Sequence, residues 1–446
     1  MSGRRITVLG GGLAGLALAF EAGKRGIAAE VREASPVLGG LARSVRSEGF
    51  AFDLGGHRIF SHSADIIKWF MDLMGDRLHE VSRTSRILLG GRFFDYPLKP
   101  ANAMFSLGPS KSVRIFSGYL KAAMSKGRPD RSFEDWIVNR FGRALFDIYF
   151  KPYTEKVWGL PCNEISADWA SQRISLLNLY DAVKKAVFKP EKTPKTYASR
   201  FYYPAGGIGS IVDELARLAA GQGQQIVPGS RASSIRHKAG RIESVTFQGA
   251  GEIGVDHLVS TIPMTDLVKS LDPPAPAGVR ASAEALSYRA IICLFLMLDR
   301  KSVTKDTWIY IPDHGIPFSR IHEPRNWDPS MAPQGKTSLC LEVFCNPGDA
   351  VWNENPDGLF ERCIGPLASM GFVSRGEVTA HLSEKVLNAY PVFKVGYKEN
   401  LDRVLSYLAG FKNLTLLGRT GTYSYLNMDQ VVEEAVSAAE RLSRIG

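Results

Sequence analysis

RITVLGGGLAGLALAFEAGKRGIAAEVRE, residues 5–33, decides the fold. Arg5 to Leu9 is a short apolar strand; Gly10, Gly11, Gly12, Leu13, Ala14 and Gly15 follow at once, opening an apolar helix that runs through Leu18, Phe20 and Ala22 to Gly26. IAAEVRE is a second strand and closes on an acid, Glu33. Glycines permit the tight turn and close backbone approach, the helix N-terminus favours a pyrophosphate, and the carboxylate can accept hydrogen bonds from a ribose. A lone GxGxxG is common, but strand, glycines, helix, strand and acid in that order predict a Rossmann-like βαβ unit that binds a dinucleotide.

The chain then departs from the usual NAD pattern. SPVLGGLAR, residues 35–43, sets Gly39, Gly40, Leu41 and Ala42 straight after the acid, and DLGGHRIFSH, residues 53–62, adds a third glycine pair ending at Gly56, next to His57. Such loops let backbone crowd a large flat cofactor. Their order resembles the FAD-binding half of the amine-oxidase-like flavoproteins, and FAD is the expected cofactor.

A chain of 446 residues exceeds what one hydrophobic core serves, so two or three domains are expected. The apolar fraction of 45% is that of a folded globular protein, and no run reaches the roughly 18 apolar residues of a membrane span. MSGRRITVLGGGLAGLALAF has arginines before an apolar run, as a signal peptide does, but its glycines break the run and no processing site follows. A cytoplasmic protein is expected. Cys162, Cys293, Cys340, Cys345 and Cys363 form no CxxC pair and have no histidine at metal spacing, so reduced thiols and no metal are predicted.

The net charge of +10 favours anionic partners without choosing among them. Lys184, Lys185, Lys189, Lys192 and Lys195 lie close together, with Val187 and Phe188 between them. That stretch suits a solvated loop first and a peripheral membrane contact second. A nucleic acid polymer is not the expected partner, and a homodimer stays compatible with the sequence.

From Ser63 to Ala198 apolar residues recur at helical spacing in DIIKWFMDLMG, SVRIFSGYLKAAMS, SFEDWIVNRFGRALFDIYF and DWASQRISLLNLYDAVKKAV, which predicts an inserted helical domain. After a glycine turn and helix, QQIVPGSRASSIRHKAGRIESVTF and DHLVSTIP are predicted to return as strands to the nucleotide-binding sheet. AIICLFLMLD, TWIYIP and SLCLEVF predict a mainly antiparallel sheet, and NLTLLGR a final strand before the closing helix. The expected fold is α/β: a Rossmann-like FAD-binding domain (1–75, 199–270 and 405–446), a helical domain (76–198) and an antiparallel β-sheet substrate domain (271–404).

Separated segments then converge on one family. KPYTEKVW (151–158), SADWASQR (166–173), PFSRIHE (317–323), AYPV (389–392) and GRTGTYSYLNMD (418–429) resemble, in order, motifs of the UDP-galactopyranose mutases. These flavoenzymes interconvert the six-membered and five-membered ring forms of a nucleotide-linked galactose. The resemblance covers nearly the whole chain and is strong in patches. It implies that Tyr149, Tyr153 and Trp158 lie against the uracil and that Arg173 and Arg320 bind the diphosphate, with Tyr390 and Tyr425 beside it. His57, Gly418, Arg419, Tyr425, Asn427 and Met428 would flank the flavin.

The implied chemistry suits these residue types. Cleaving the bond between the anomeric carbon and a diphosphate leaves negative charge, which always-charged guanidinium groups stabilise. In the family, N5 of reduced FAD attacks the anomeric carbon, the ring opens and recloses through another hydroxyl, and no net redox change results. The implied partner is a nucleotide-diphosphate sugar, UDP-linked. Asn427 replaces the family's usual aspartate, and Arg58 follows His57 as an extra residue. The diphosphate-handling positions match better than those expected to meet the sugar. The rival class is an amine-oxidase or protoporphyrinogen-oxidase type of FAD oxidoreductase, whose pocket should lack paired arginines.

Overall fold

The computed structural model describes residues 5–96, 109–125, 129–173 and 200–444. Its nucleotide-type sheet has five parallel strands in the order Leu414–Leu416, His257–Ser260, Arg5–Leu9, Ala28–Arg32, Gln225–Val227. The strands come from three separated parts of the chain, so the sheet closes only when the last forty residues arrive. Helix Leu13–Lys24 is buried continuously from Leu13 to Ala22. It lies between the sheet and the helices Gly209–Gly221 and Met428–Arg444, all in one core cluster. A helix that is apolar nearly all round needs such cover on almost every side.

Not every strand predicted to return joins that sheet. Gln225–Val227 and His257–Ser260 do, whereas Ala232–Lys238, Arg241–Phe247 and Gly251–Gly254 form a separate antiparallel meander with Leu271–Asp272 at its edge. Ala239 and Gly240, both at positive φ (48° and 72°), make the two-residue turn between Lys238 and Arg241, the geometry a tight hairpin favours. Ile235, Ile242, Val245 and Phe247 face a core, while alternate residues face solvent. A strand with one wet face does not suit a parallel sheet covered on both sides.

The third large element is a seven-stranded sheet: Val378–Pro391, Tyr288–Leu298, Thr337–Cys345, Arg320–His322, Trp308–Tyr310, Ser85–Leu89, Arg92–Asp95. It is antiparallel except where Trp308–Tyr310 runs parallel to Ser85–Leu89. Strands Tyr288–Leu298 and Thr337–Cys345 are buried along their full length. Ala290, Ile292, Leu294 and Leu296 pack toward helix Pro356–Ser369, whereas Ile291, Cys293, Phe295 and Met297 pack toward Phe50–Asp53. Cover on both faces is why the run is apolar without alternation.

The span expected to be helical begins differently. Leu78–Ser82, Ser85–Leu89 and Arg92–Asp95 are strands, and the last two extend the seven-stranded sheet. Gly90 and Gly91, both at positive φ, close the hairpin Leu89–Arg92. Helices follow at Pro109–Met124, Phe133–Phe141, Lys151–Trp158 and Ala167–Arg173. The lysine cluster Lys184 to Lys195 and most of the DWASQRISLLNLYDAVKKAV helix lie outside the described residues. Among the described residues, no helix is long and apolar enough to cross a membrane.

Candidate active site

The glycine turn forms a cradle. Gly10 takes φ +104°, and a Cβ on Gly15 would stand 2.0 Å from the Gly10 carbonyl oxygen, so the helix can start this close to the strand only without a side chain. Gly39 donates its N–H to Gly11 O (2.8 Å), tying the second glycine loop to the first, and Gly12 bridges Gly39. Glu33 accepts the N–H groups of Gly11 and Ser35, both at 2.7 Å. Its two oxygens keep lone pairs for further donors. The helix beginning at Leu13 has no side-chain cap, so its first-turn N–H groups are open to an anion.

A crevice of about 670 Å³ runs over this cradle, lined by Gly10, Gly12, Leu13, Ala14 and Glu33 from the first motif and by Gly39, Gly40, Leu41 and Ala42 from the second. His57, Gly418, Arg419 and Met428 also line it. Arg32, Arg43, Arg231, Lys269 and Lys385 face the same space, against Glu33 and Asp266, an excess of cations that suits an anionic dinucleotide. Arg231, Lys269 and Lys385 lie in no quoted motif, and their chain positions are scattered.

Four expected cofactor contacts stand apart from the lining. Gly15 acts behind it, by the close packing just described. Gly56 donates its N–H to Glu342 Oε1 (3.2 Å). Asn427 is exposed, and its N–H binds the Gln430 side chain (3.0 Å) at the start of helix Met428–Arg444. Tyr425 stacks on Tyr390, with ring centroids 5.4 Å apart at 21°.

The glycines of GRTGTY answer to packing. A Cβ on Gly418 (φ +76°) would meet Ala14 Cβ at 2.8 Å, and one on Gly421 would meet Ser260 O at 2.7 Å. Arg419 bonds the carbonyls of Leu426 (2.6 and 2.9 Å) and Ala389 (3.2 Å). Its guanidinium lies over the rings of both Tyr425 (5.0 Å) and Tyr390 (5.5 Å). A cation over stacked phenols is stabilised without an acid.

Arg320 approaches the same tyrosines from the seven-stranded sheet. Its Nη2 donates to Tyr390 Oη (2.9 Å), and its guanidinium pairs with the buried carboxylate of Glu342. Burial is the largest single influence and works against the charge of Arg320, but Glu342 together with Tyr390, Tyr153 and Tyr310 outweighs it and holds the pKa well above the ordinary value. Its Nε is buried without a hydrogen-bond partner. Tyr153 is half-buried near Arg320, and desolvation raises its pKa well above normal. His57 is pushed down to about 4, first by burial and then by the charges of Arg419 and Arg320. At neutral pH it is an uncharged imidazole with an unpartnered Nδ1.

Beyond Tyr390 lies an aromatic wall. Trp158 packs edge-on against Tyr390 (6.3 Å) and Trp169 (5.2 Å), and Tyr149 against Phe94 (6.0 Å). Tyr149 sits in a turn, Phe146–Phe150, widened to i→i+5 spacing, a device often found near functional sites. Tyr149 Oη, Trp158 Nε1 and Trp169 Nε1 are all buried without a partner. Each such tip costs about 1–3 kcal/mol unless a ligand meets it. Arg173 ends the helix Ala167–Arg173, and its side chain falls outside what is described.

Two residues of this region lie outside the set of expected site residues. Glu342 is the sole acid in the apolar strand Thr337–Cys345 and is 1% exposed at its side chain. An acid in a fully buried strand is itself a signal, because it demands a partner. Lys156 donates to the carbonyls of Ile311 (2.9 Å), Asp313 (2.7 Å) and Phe318 (2.6 Å), which belong to the turn leading into Arg320. All five cysteines are buried and unpaired, and no cluster of three candidate metal ligands occurs among the described residues.

The family described as flavin containing amine oxidoreductase matches residues 13–443. Among curated relatives, a probable UDP-galactopyranose mutase of Klebsiella pneumoniae is 20% identical, over 99% of this chain and 95% of that protein. A zeta-carotene-forming phytoene desaturase of Myxococcus xanthus is 23% identical, over 83% of this chain and 78% of that one. A solved reduced UDP-galactopyranose mutase superposes with a TM-score of 0.86 at 23% identity, over 99% of this chain and 96% of its own. A protein described as a putative protoporphyrinogen oxidase, from Exiguobacterium sp., gives a TM-score of 0.79 at 18% identity over the full length of both chains. At these identities the structural likeness shows the fold.

Proposed function

The chain belongs to the flavin-containing amine oxidoreductase family, and we propose that within it the protein is a nucleotide-sugar mutase of the UDP-galactopyranose mutase type, interconverting pyranose and furanose forms of a UDP-linked sugar. Its cofactor is FAD. The residues present fit that group. The uncapped helix start at Leu13 and the glycine cradle suit the pyrophosphate, Glu33 suits the ribose, and His57 with its unpartnered Nδ1 suits the isoalloxazine end. Reduced FAD supplies the electron pair for covalent chemistry at an anomeric carbon.

One observation carries the reading: two guanidinium groups, Arg320 and Arg419, meet the stacked rings of Tyr390 and Tyr425 beside the crevice. Such a site favours a diphosphate leaving group and disfavours the ammonium or hydrocarbon substrates of the rival oxidases. Tyr390 Oη accepts from Arg320, which leaves its own proton to donate to a phosphate oxygen. Arg320 Nε is a further donor. Glu342 pairs with Arg320, so the site holds that guanidinium in place without surrounding the leaving group with excess charge.

Neutral His57 adds a hydrogen bond and no charge, which leaves the two arginines as the electrostatic partners of the diphosphate. The tips of Tyr149 and Trp158 are unmet donors on an aromatic wall, suited to a flat heterocycle with carbonyl acceptors such as uracil. Arg173 completes the proposed diphosphate set from the resemblance of its segment.

The test is turnover. Dithionite-reduced protein is incubated with UDP-galactopyranose and a panel of other nucleotide sugars, and ring isomers are separated chromatographically. A furanose product from the reduced protein and none from the oxidised one is expected. Oxygen consumption by oxidised protein on an amine or porphyrinogen, with no ring isomer from the reduced form, would sink the reading in favour of the oxidase.

A further inference from the structure

Helix Pro109–Met124 carries two apolar faces. At about 100° per residue, Ile115, Gly118, Tyr119 and Ala122 fall on one side. That side packs inward: Ile115 joins the core around Phe133, Trp136 and Phe146, and a Cβ on Gly142 would lie 2.6 Å from Gly118 O, so backbone meets backbone there. Val113, Phe116, Leu120 and Met124 fall within roughly 80° on the opposite side. They are 68%, 50%, 43% and 80% exposed. Four of the nine exposed large apolar side chains among the described residues thus form one stripe on one helix, and the other five are dispersed. Isolated exposed apolar residues need no explanation, but a stripe does.

The charged residues of the helix itself have one sign. Arg114 and Lys121 flank it at one edge, both exposed. From Asp95 to Asp130 the sequence has no acid between, and it has six bases: Lys99, Lys111, Arg114, Lys121, Lys126 and Arg128. The acids of the helical layer beneath are engaged within that layer. Asp130 pairs with Arg140 (2.7 Å) and Glu134 with Arg143 (2.7 Å), whose guanidinium also lies 3.8 Å from Asp147. Asp135 is held in the capping box of Ser132.

We infer that the outward face of helix Pro109–Met124 docks on an anionic lipid surface, with Phe116 and Leu120 entering the headgroup–acyl boundary and Arg114 and Lys121 meeting the headgroups. An amphipathic helix with an apolar stripe and basic flank is the form that lies in such an interface. A second copy of the chain is the weaker occupant. It would set basic flank near basic flank with no acid to pair them, and four side chains fall far short of the roughly 20–30 residues a side of a stable protein interface. The inference does not depend on the mutase reading.

Vesicle co-sedimentation of the full, FAD-loaded protein tests it, with phosphatidylcholine vesicles compared with vesicles containing about 30% phosphatidylglycerol. The expected result is at least about fivefold more pelleted protein on the anionic vesicles at low salt, with the difference collapsing at high salt. Phe116→Ser with Leu120→Ser should reduce binding about tenfold, and Arg114→Gln with Lys121→Gln should abolish the preference for anionic lipid. These positions are exposed, and an unchanged flavin spectrum checks the fold of each variant. Wild type that stays in the supernatant with both vesicles overturns the inference, as does a Phe116→Ser, Leu120→Ser variant that pellets like wild type. A wild-type dimer that this double variant converts to monomer, without vesicle binding, assigns the face to a second copy instead.

Discussion

Arg320 and Glu342 stand directly opposite each other on antiparallel strands, and their side chains form an ion pair in which Glu342 is fully buried and Arg320 partly so. Glu342 also accepts the N–H of Gly56 (3.2 Å), so one carboxylate ties the guanidinium to the loop that presents His57. Breaking such a pair from one side strands a charge in a poorly solvated place. Glu342→Ala is expected to cost about 3–5 kcal/mol in denaturant unfolding of the holoprotein. Glu342→Gln keeps an acceptor for Gly56 and should cost less. Equal, near-zero losses in both variants would show that solvent reaches the pair.

Arg320→Lys retains a positive charge opposite Glu342 and removes the planar fork. The flavin spectrum should be unchanged, while kcat/KM for the nucleotide sugar falls about 10²- to 10³-fold. Arg320→Ala should retain flavin and lose nucleotide-sugar binding in a titration. Loss of flavin in the lysine variant would mean that Arg320 serves the cofactor and not the substrate.

Lys156 pins the turn before Arg320 through three carbonyls. Burial pushes its ammonium down to about 7, and the nearby Asp313 and Cys363 oppose that shift. Lys156→Met leaves those carbonyls unmet and should cost on the order of 2–4 kcal/mol. The released turn should also raise KM more than it lowers kcat. A stability loss with unchanged KM would make Lys156 a packing residue only.

His322 is 1% exposed, stacks flat on Trp327 (4.7 Å, 9°) and has neither ring nitrogen partnered. Burial, then the charges of Arg320 and His57, push its pKa down to about 3 from 6.5. Above 6.5 both folded and unfolded states hold it neutral. As pH falls below that, the unfolded chain takes up a proton that the folded one refuses, so this stability is lost progressively on acidification. Between pH 6.5 and 5 the loss is about 2 kcal/mol. His57, pushed down to about 4, adds in the same direction. Asp53, raised by burial to about 6 from 3.8, acts oppositely within that interval. His322→Phe removes one titration and keeps the stack, so its unfolding free energy should fall less between pH 6.5 and 5 than that of wild type. Parallel pH profiles would contradict a neutral buried imidazole.

The amino-acid sequence by itself determined the features governed by local backbone physics. The turn at Gly10 to Gly15, the helix behind it, the acid at Glu33, the positive-φ glycines at Gly39 and Gly40, and the continuous apolar strands at Tyr288 and Thr337 all follow from propensity, period and steric allowance within a few residues. The residues of the GRTGTY turn were legible too, but not the packing of Gly418 against Ala14 and Gly421 against Ser260. Only the tertiary structure decided which strand lies beside which. It sent the Ala232–Phe247 hairpin away from the parallel sheet and brought Ser85–Asp95 into the antiparallel one. It set Glu342 opposite Arg320 and Tyr390 above both. Strand neighbours and register depend on contacts between residues tens to hundreds of positions apart, and a charge in one strand carries no mark of the partner that burial will later require.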